Sequence, residues 1–206
     1  KNLSIPVTEM FRNPQCFKKL REKVIPYLGT FPFFKVWHAG CATGMEIYSL
    51  AIMLQEEELH ERASIYATDY SNHAIEVAKE GIYSLNEMKK YSKHYRLAGG
   101  KQTLSDYFHV NYQSVKFNNE LIKNTTFANH NLVSDSSFSE VNLILCRNVM
   151  IYFNRKLQNQ VLQLFYDSLP INGFLFLGDK ESIDFSPLKP CFEVVDQKSK
   201  IYRKVK

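Results

Sequence analysis

Short apolar runs alternate with longer amphipathic segments along most of the chain. FKVWHAG and SIYATDY have the length and composition of buried strands, whereas MEIYSLAIMLQEEEL and NHAIEVAKEGIY place apolar residues at helical spacing. Further along, NTTFANHNL and VNLILC predict two more strands, RKLQNQVLQLFYDSL predicts an amphipathic helix, and GFLFLGDK predicts another strand. This alternation predicts an α/β fold with a mostly parallel sheet and helices on both of its faces.

Three segments depart from the alternation. The leading segment has helical periodicity from about Gln15 to Tyr27, with an Asn-Pro pair as its start signal. Residues from about 84 to 121 are polar and tyrosine-rich, and DYFHVNY and QSVKF predict antiparallel strands of a small inserted β subdomain. The tail FEVVDQKSKIYRKV predicts a C-terminal antiparallel hairpin. We therefore expect one domain over residues 1–206 that contains this insertion.

Composition limits the class of protein. The 206 residues are 45% hydrophobic and 14% aromatic, which is enough to bury a substantial core. No run approaches the roughly 20 consecutive apolar residues of a membrane span, and the N-terminus lacks the apolar run of a signal peptide. We therefore expect a cytoplasmic protein without membrane insertion. Because the chain begins at Lys1, it fits a trimmed chain or a domain cut from a longer protein.

Charge and cysteine content favour neither nucleic acid nor metal as a partner. The formal net charge of +5 is scattered without a basic run, so we expect no nucleic acid, and an acidic protein surface suits this charge equally well. The four cysteines lie far apart and form no C-x-x-C pair. This spacing favours reduced structural thiols and predicts no metal site.

A glycine-bounded loop joins the first predicted strand to its helix. In the HAGCATG segment, Gly40 and Gly44 would let the backbone approach a ligand closely, and ligands of open parallel sheets sit at the carboxyl ends of the strands. The segment is also compatible with a plain tight turn. The loop alone therefore leaves a cofactor site and a structural turn as alternatives.

Two acidic residues beside this loop favour one type of cofactor. Asp69 ends the second strand, where its carboxylate can accept hydrogen bonds from both hydroxyls of a ribose, although it could instead cap the next helix. The third glycine of the dinucleotide pattern G-x-G-x-x-G is missing, because Met45, Glu46 and Ile47 follow Gly44, and Glu46 would repel a pyrophosphate. A cationic sulfonium ligand with an α-amino group would attract this acid, so the residues favour S-adenosylmethionine over NAD. Glu46 could instead only place its negative charge near the partial positive charge at the N-terminus of its helix.

Polar residues follow the strongly apolar strand that ends at Cys146. In CRNVMIYF, Arg147, Asn148 and Tyr152 lie where the active site of such a sheet is expected. The segment lacks the Asn/Asp-Pro-Pro-aromatic element of base-modifying amino-methyltransferases. We interpret Cys146 as a small core residue.

Seven segments together resemble a known family. TEMFR, HAGCATGMEIYSLA, ATDYS, AKEGIY, NHNL, CRNVMIYF and GFLFLGDKES occur in an order and spacing similar to the catalytic domain of CheR-type chemotaxis receptor methyltransferases, from about Thr8 to Arg203. The resemblance implies a class I methyltransferase-like, Rossmann-like fold, with S-adenosylmethionine as cofactor and S-adenosylhomocysteine as product. It also implies methyl transfer to glutamate side chains in the cytoplasmic domains of chemoreceptors, or in a similar acidic helical protein.

The resemblance also assigns roles to individual residues. Arg12 and Tyr152 would face the methyl-transfer centre as catalytic residues. The residues implied to line the cofactor site, together with the two loop glycines, are Thr8, Arg12, Gly40, Gly44, Glu46, Asp69, Asn131, Leu132, Arg147 and Asn148. Two positions depart from the family pattern. Pro6 replaces an asparagine that the family often has, and Met45 reduces the acidic pair after the glycine loop to Glu46 alone.

A carboxylate acceptor suits these residues, because it is already ionised at neutral pH and needs no general base. We expect Arg12 to orient this carboxylate and Tyr152 to fix its approach by a hydrogen bond. The insertion resembles in position a subdomain that docks receptor tails in some family members, although it could equally just cover the sheet edge. The alternatives are a methyltransferase acting on another carboxylate and a non-catalytic module that binds S-adenosylmethionine.

Overall fold

The computed structural model describes residues 8–137 and 139–206. The departure at Pro6 and the first seven residues of the predicted domain lie outside this part of the chain. The strands are β1 (Phe34–Ala39), β2 (Ala63–Asp69), β3 (Ile82–Ser84), β4 (Phe108–Asn111), β5 (Ser114–Phe117), β6 (Thr125–Asn129), β7 (Leu143–Cys146), β8 (Phe174–Leu177), β9 (Phe192–Asp196) and β10 (Ile201–Lys204). The α-helices are α1 (Pro14–Lys23), α2 (Ile25–Leu28), α3 (Met45–Glu56), α4 (Asn72–Glu80), α5 (Met88–Leu97) and α6 (Arg155–Ser168).

The main sheet has seven strands in the order β6-β2-β1-β7-β8-β10-β9. The pairs β6/β2, β2/β1, β1/β7 and β7/β8 are parallel, whereas β10 is antiparallel to both β8 and β9. The predicted mostly parallel sheet with a C-terminal hairpin is therefore confirmed. The strand order reverses between β1 and β7, and a ligand crevice in such a sheet opens at the carboxyl ends of the strands on either side of this reversal.

Both faces of the sheet are covered, because successive side chains of a strand point to opposite sides. On β1, Val36 belongs to the hydrophobic cluster that includes residues of α1 and α3, and Trp37 belongs to a second cluster that includes residues of α6. Both side chains are fully buried. The predicted helices on both faces are thus confirmed.

The leading helix is shorter than its periodicity predicts. It begins at Pro14 and ends at Lys23, after which the separate short helix α2 starts at Ile25. Pro26 accounts for the interruption, since proline has no N–H to donate and its ring collides with the carbonyl four residues earlier.

The inserted region contains a second sheet of three strands in the order β3-β5-β4. The predicted antiparallel pair is confirmed as β4 and β5. The structure adds two elements that the pattern did not predict, namely α5 and the strand β3, which begins directly after Gly81 ends α4 in a left-handed conformation. Tyr95 and Tyr107 donate hydrogen bonds to Glu56 of α3, and this carboxylate anchors the insertion on the main body. Whether a receptor tail docks on the small sheet stays a prediction.

Three chemical features complete the description. All four cysteines are free thiols. No group of histidine, cysteine and acidic residues that could hold a metal ion occurs within residues 8–137 and 139–206. In the same part of the chain, no helix combines the length and the apolar composition that crossing a membrane requires.

Candidate active site

A crevice opens at the carboxyl ends of β1 and β7, where the strand order reverses. We call it the cofactor crevice; its lining residues are Thr8, Glu9, Arg12, His38, Gly40, Glu46, Arg147 and Asn148. Six of these were predicted site residues, separated by up to 140 positions in the sequence. The fold therefore brings together most of the predicted cofactor-binding set.

The centre of the crevice is a buried ion cluster. Glu46, in the first turn of α3, accepts a hydrogen bond at Oε1 from His38 Nε2 at 3.0 Å and an ion-paired hydrogen bond at Oε2 from Arg147 Nη1 at 2.6 Å. Burial alone would raise the pKa of Glu46, but the charge of Arg147 and the hydrogen bond from His38 outweigh it and lower this pKa. Glu46 is therefore an ionised carboxylate at neutral pH.

Arg147 also fixes the leading segment of the chain. Its Nη2 donates to the carbonyl oxygen of Arg12 at 3.0 Å and to Asn13 Oδ1 at 3.2 Å, and its guanidinium lies over the rings of Phe17 and Phe176. Asn13 precedes α1 but makes no side-chain cap, because its amide oxygen accepts from Arg147 instead. One buried cation thus holds the segment that brings Arg12 into the crevice.

Several polar atoms of the crevice have no partner among the described residues. His38 Nδ1, Arg147 Nε and Asn148 Oδ1 are buried without a hydrogen bond within residues 8–137 and 139–206. The Arg12 side chain lines the crevice and makes no ion pair there with any described residue. Burying such groups unpaired is costly, so a ligand that offers both donors and acceptors fits them. The amino-acid portion of S-adenosylmethionine, with its ammonium and carboxylate, has this chemistry.

The glycine loop is shaped by protein packing as well as by its place at the crevice. Gly40 and Gly44 have φ of +79° and +86°. A Cβ added at Gly40 would lie 2.5 Å from Val149, and one added at Gly44 would lie 2.6 Å from Ala78. Gly40 lines the crevice, but Gly44 does not. The close approach of other protein atoms is therefore sufficient to require glycine at both positions.

Asp69 lies beside this loop at the end of β2, with only 6% of its surface exposed. Its Oδ2 accepts from the backbone N–H of Ala42 at 2.9 Å and its Oδ1 from that of Ser71 at 2.9 Å. Each carboxylate oxygen has a second lone pair, so the carboxylate can still accept from another donor. The ribose contact stays a prediction. The cap of α4 is Ser71, whose hydroxyl accepts from Ala74.

The remaining predicted cofactor residues follow the neighbouring strand β6. The backbone N–H of His130 donates to the carbonyl of Asp69, which ties this segment to the end of β2. Leu132 is buried, whereas Asn131 is exposed and accepts at Oδ1 from the N–H of Val133. Neither Asn131 nor Leu132 lines the crevice. Their cofactor contacts stay predictions.

Tyr152 lies on a short 3-10 turn, Met150–Tyr152, in the exit loop of β7. Its side chain is 74% exposed and does not line the crevice. Its hydroxyl forms no hydrogen bond with the residues that the structure describes. The structure thus places Arg12 in the lining of the crevice and Tyr152 outside that lining.

A buried carboxylate that the sequence analysis did not single out shapes the same exit loop. Glu181 follows β8 and is 4% exposed. Its Oε2 accepts from the backbone N–H groups of Gly178 at 2.7 Å and Asn148 at 2.9 Å, and its Oε1 from those of Val149 at 2.9 Å and Met150 at 2.7 Å. Three consecutive amides of the loop therefore converge on one side chain. Asn148, at the start of this run, has φ of 60°.

Four residues that contribute to the site were not predicted from the sequence, and one of them, Glu9, lines the crevice. His38 contacts Glu46, Asn13 contacts Arg147, and Glu181 binds the exit loop. A polar residue within an otherwise apolar strand was a usable signal for His38. Glu181 offered a weaker signal, an acid shortly after a buried strand. Neither signal identifies the residue to which His38 or Glu181 forms its hydrogen bonds.

Comparisons with known proteins identify the family of the chain. Residues 6–201 match the family model described as CheR methyltransferase, SAM binding domain. A relative from Pseudomonas putida named methyltransferase Cher3 is 50% identical over 202 residues, covering 98% of this chain and 74% of the relative. The chemotaxis protein methyltransferase of Escherichia coli is 30% identical over 204 residues, covering 95% of this chain and 67% of the relative.

One solved structure of a methyltransferase also aligns with part of the chain. The N-methyltransferase NodS from Bradyrhizobium japonicum, in complex with S-adenosyl-L-homocysteine, aligns with a TM-score of 0.44 at 13% identity, covering 82% of this chain and 62% of that one. The sequence match to the family model covers nearly the whole chain and includes the crevice residues from Thr8 to Asn148. The chain belongs to the CheR family of S-adenosylmethionine-dependent methyltransferases, whose SAM-binding domain it contains.

Proposed function

We propose that this protein transfers a methyl group from S-adenosylmethionine to glutamate side-chain carboxylates of chemoreceptor proteins in the cytoplasm. The observation that carries the proposal is the guanidinium of Arg12, which forms no ion pair with any residue of the described ranges and lies in the same crevice as the ionised Glu46. An acid suits the ammonium of the cofactor, and a cation without a counter-ion suits an incoming carboxylate. Relatives named chemotaxis protein methyltransferase support the substrate class.

The cofactor would be held at both ends by carboxylates. Glu46 would bind the α-amino group, and Asp69 would bind the ribose hydroxyls. The other residues assigned to the cofactor site are Thr8, Arg12, Gly40, Gly44, Asn131, Leu132, Arg147 and Asn148. When bound, S-adenosylmethionine supplies a methyl group made electrophilic by its sulfonium. The crevice itself contributes alignment and charge complementarity.

The acceptor side needs positioning rather than proton abstraction. A glutamate carboxylate is ionised at neutral pH, so no general base is required. Arg12 is available to orient it, since Arg147 is already paired with Glu46 and bonded to the leading segment. The exposed hydroxyl of Tyr152 would donate a hydrogen bond to the acceptor and fix its approach. Tyr152 would then meet the acceptor only once the substrate protein is bound.

The test is transfer of a labelled methyl group to cytoplasmic chemoreceptor fragments, with detection of base-labile label. Tyr152→Phe keeps the ring and deletes only the hydroxyl. We expect single-turnover transfer to fall while the cofactor dissociation constant stays nearly constant, because the hydrogen bond acts on the transfer step. Arg12→Ala should reduce transfer further, since it removes a charge.

Four outcomes test the proposal against its alternatives. Cofactor binding without transfer to any carboxylate would indicate a non-catalytic module. Transfer to another carboxylate but not to receptor fragments would indicate a different substrate. Wild-type transfer by Tyr152→Phe would remove the catalytic role of that hydroxyl, and wild-type transfer by Arg12→Ala would remove the proposed acceptor site.

A further inference from the structure

A second groove lies between the turn that carries Tyr152, the start of α6 and the segment after β8. It holds about 140 Å³ and shares no lining residue with the cofactor crevice. The residues that define it are Met150, Arg155, Gln158, Lys180, Glu181 and Phe185. We call it the α6 groove. None of the roles assigned so far to the cofactor or the acceptor glutamate uses it.

The floor of the α6 groove is bonded directly to the turn that carries Tyr152. Gln158 Nε2 donates to the carbonyl oxygens of Met150 at 3.0 Å and Phe153 at 3.1 Å, on both sides of Tyr152. Glu181 accepts from the N–H of Met150 at 2.7 Å. A segment lying in this groove would therefore lie next to the residue proposed to meet the acceptor.

Two exposed cations give the groove its charge. Arg155 and Lys180 line it, and neither forms an ion pair with any residue in the described ranges 8–137 and 139–206. Glu181 is the one carboxylate in the lining, and both of its oxygens accept hydrogen bonds from backbone N–H groups. The nearby Asp184 is paired with Lys189 at 3.4 Å. The unpaired charge that the groove offers a ligand is therefore positive.

An exposed aromatic ring completes the groove. Phe185 is 74% exposed, and the guanidinium of Arg155 lies 4.7 Å from the centre of its ring. This stacking holds the cation over an apolar surface and limits its freedom to move. A surface with two cations and one ring fits a peptide segment that carries carboxylates beside an apolar side chain.

We propose that the α6 groove binds the acidic segment of the substrate protein that flanks the acceptor glutamate, with Arg155 and Lys180 pairing its carboxylates and Phe185 contacting an apolar side chain. This inference rests on the proposed function, because it takes the acceptor to be a glutamate within a protein. The groove then determines which glutamates reach Tyr152. Arg155, Lys180 and Phe185 bind the substrate and take no part in the transfer step.

The test is a double charge reversal, Arg155→Glu with Lys180→Glu, assayed by methylation of an acidic chemoreceptor fragment. We expect KM for the fragment to rise about tenfold or more, because two attractive contacts become repulsive. The turnover number and the cofactor dissociation constant should stay within about twofold of wild type. KM of the wild type should also rise with ionic strength more steeply than that of the variant.

The matched control is Lys198→Glu with Lys206→Glu, which makes the same change in net charge at exposed positions outside the groove. Thermal unfolding of both variants verifies that they are folded. Equal KM values in the groove variant and the control would overturn the inference while leaving the proposed function intact. Absence of transfer by the wild type would overturn the proposed function and this inference with it. Phe185→Ala should raise KM by about twofold to fivefold, and an unchanged KM would remove the ring from the binding surface.

Discussion

Two buried carboxylates flank the β7 exit loop, and the protein stabilises them in different ways. Glu46 is 5% exposed and is bonded by side chains that carry or can carry positive charge, Arg147 and His38. Glu181 is 4% exposed, and all of its hydrogen bonds within the described part of the chain come from backbone N–H groups. Glu46 therefore balances the charge of Arg147, which lies on a distant element. Glu181 instead determines the path of the β7 exit loop.

The pKa values of the two carboxyl groups shift in opposite directions. Burial raises the pKa of Glu181, and four backbone hydrogen bonds only partly offset this, because neutral dipoles compensate a buried charge less than a cation does. The guanidinium of Arg147 lowers the pKa of Glu46 despite its burial. The comparison shows that a buried acid at an active site can either provide charge for a ligand or hold the backbone of a loop in one conformation. The identity of its hydrogen-bond donors distinguishes the two roles.

The largest effect is expected for Glu46→Gln. Arg147 would remain buried without a counter-charge, and removing one partner of such a pair costs about 3–5 kcal/mol. We expect the free energy of unfolding, measured in urea, to fall by about this amount, and cofactor binding to be lost. Glu140→Gln, at an exposed position before β7, is the matched control. Adding Arg147→Met to Glu46→Gln should recover part of the stability; a loss below about 1 kcal/mol in the single variant would contradict the assigned charge balance.

A smaller loss of stability is expected for Glu181→Gln, and this variant should affect methyl transfer rather than cofactor binding. The amide keeps one oxygen for two of the four N–H groups and turns a donor toward the other two, at about 1–3 kcal/mol for each unsatisfied group. The neutral amide also avoids the burial penalty that raises the pKa of Glu181, and this offsets part of the loss. Because these groups shape the loop that carries Tyr152, transfer should fall more than cofactor affinity.

A double-variant cycle tests the connection between Glu181 and Tyr152. If Glu181 acts by positioning the tyrosine, then Glu181→Gln should reduce transfer less in a Tyr152→Phe background than in the wild type. Transfer rates for the four proteins are compared at saturating cofactor. Strictly additive effects would confine Glu181 to a role in stability.

The third prediction concerns Asp69, a carboxylate with two backbone donors, Ala42 and Ser71. Asp69→Ala should reduce affinity for S-adenosylmethionine about tenfold or more, since a hydrogen bond to a charged acceptor contributes about 1.5–3 kcal/mol. Titration calorimetry measures this, with Asp167→Ala on the exposed side of α6 as the control. Unchanged affinity would remove Asp69 from the cofactor site and leave it a purely structural role in the glycine loop.

Local pattern predicted the main sheet, but it could not predict contacts between distant segments. Glu46 was assigned to the cofactor from its place after the glycine loop, yet its ion pair joins residues 101 positions apart. Glu181 meets the exit loop only because β7 and β8 are neighbours in the sheet. The helix α5 was missed because its buried face carries tyrosines, Tyr91 and Tyr95, in a polar context that resembles a loop.

The smallest predicted effect follows from the opposite pKa shifts and tests the comparison itself. The pKa of Glu46 is lowered from its usual value of 4.5, so the unfolded chain binds more protons there and the stability due to this group grows as pH rises through about 4.5. The pKa of Glu181 is raised from 4.5, so the folded chain keeps its proton longer and the stability due to this group declines as pH rises. Urea unfolding between about pH 4 and pH 7 should therefore show the gap between wild type and Glu46→Gln widening with pH, and the gap between wild type and Glu181→Gln narrowing. If both gaps changed in the same direction, then backbone N–H groups would favour a buried carboxylate here as strongly as a guanidinium does, and the distinction between the two sites would fail.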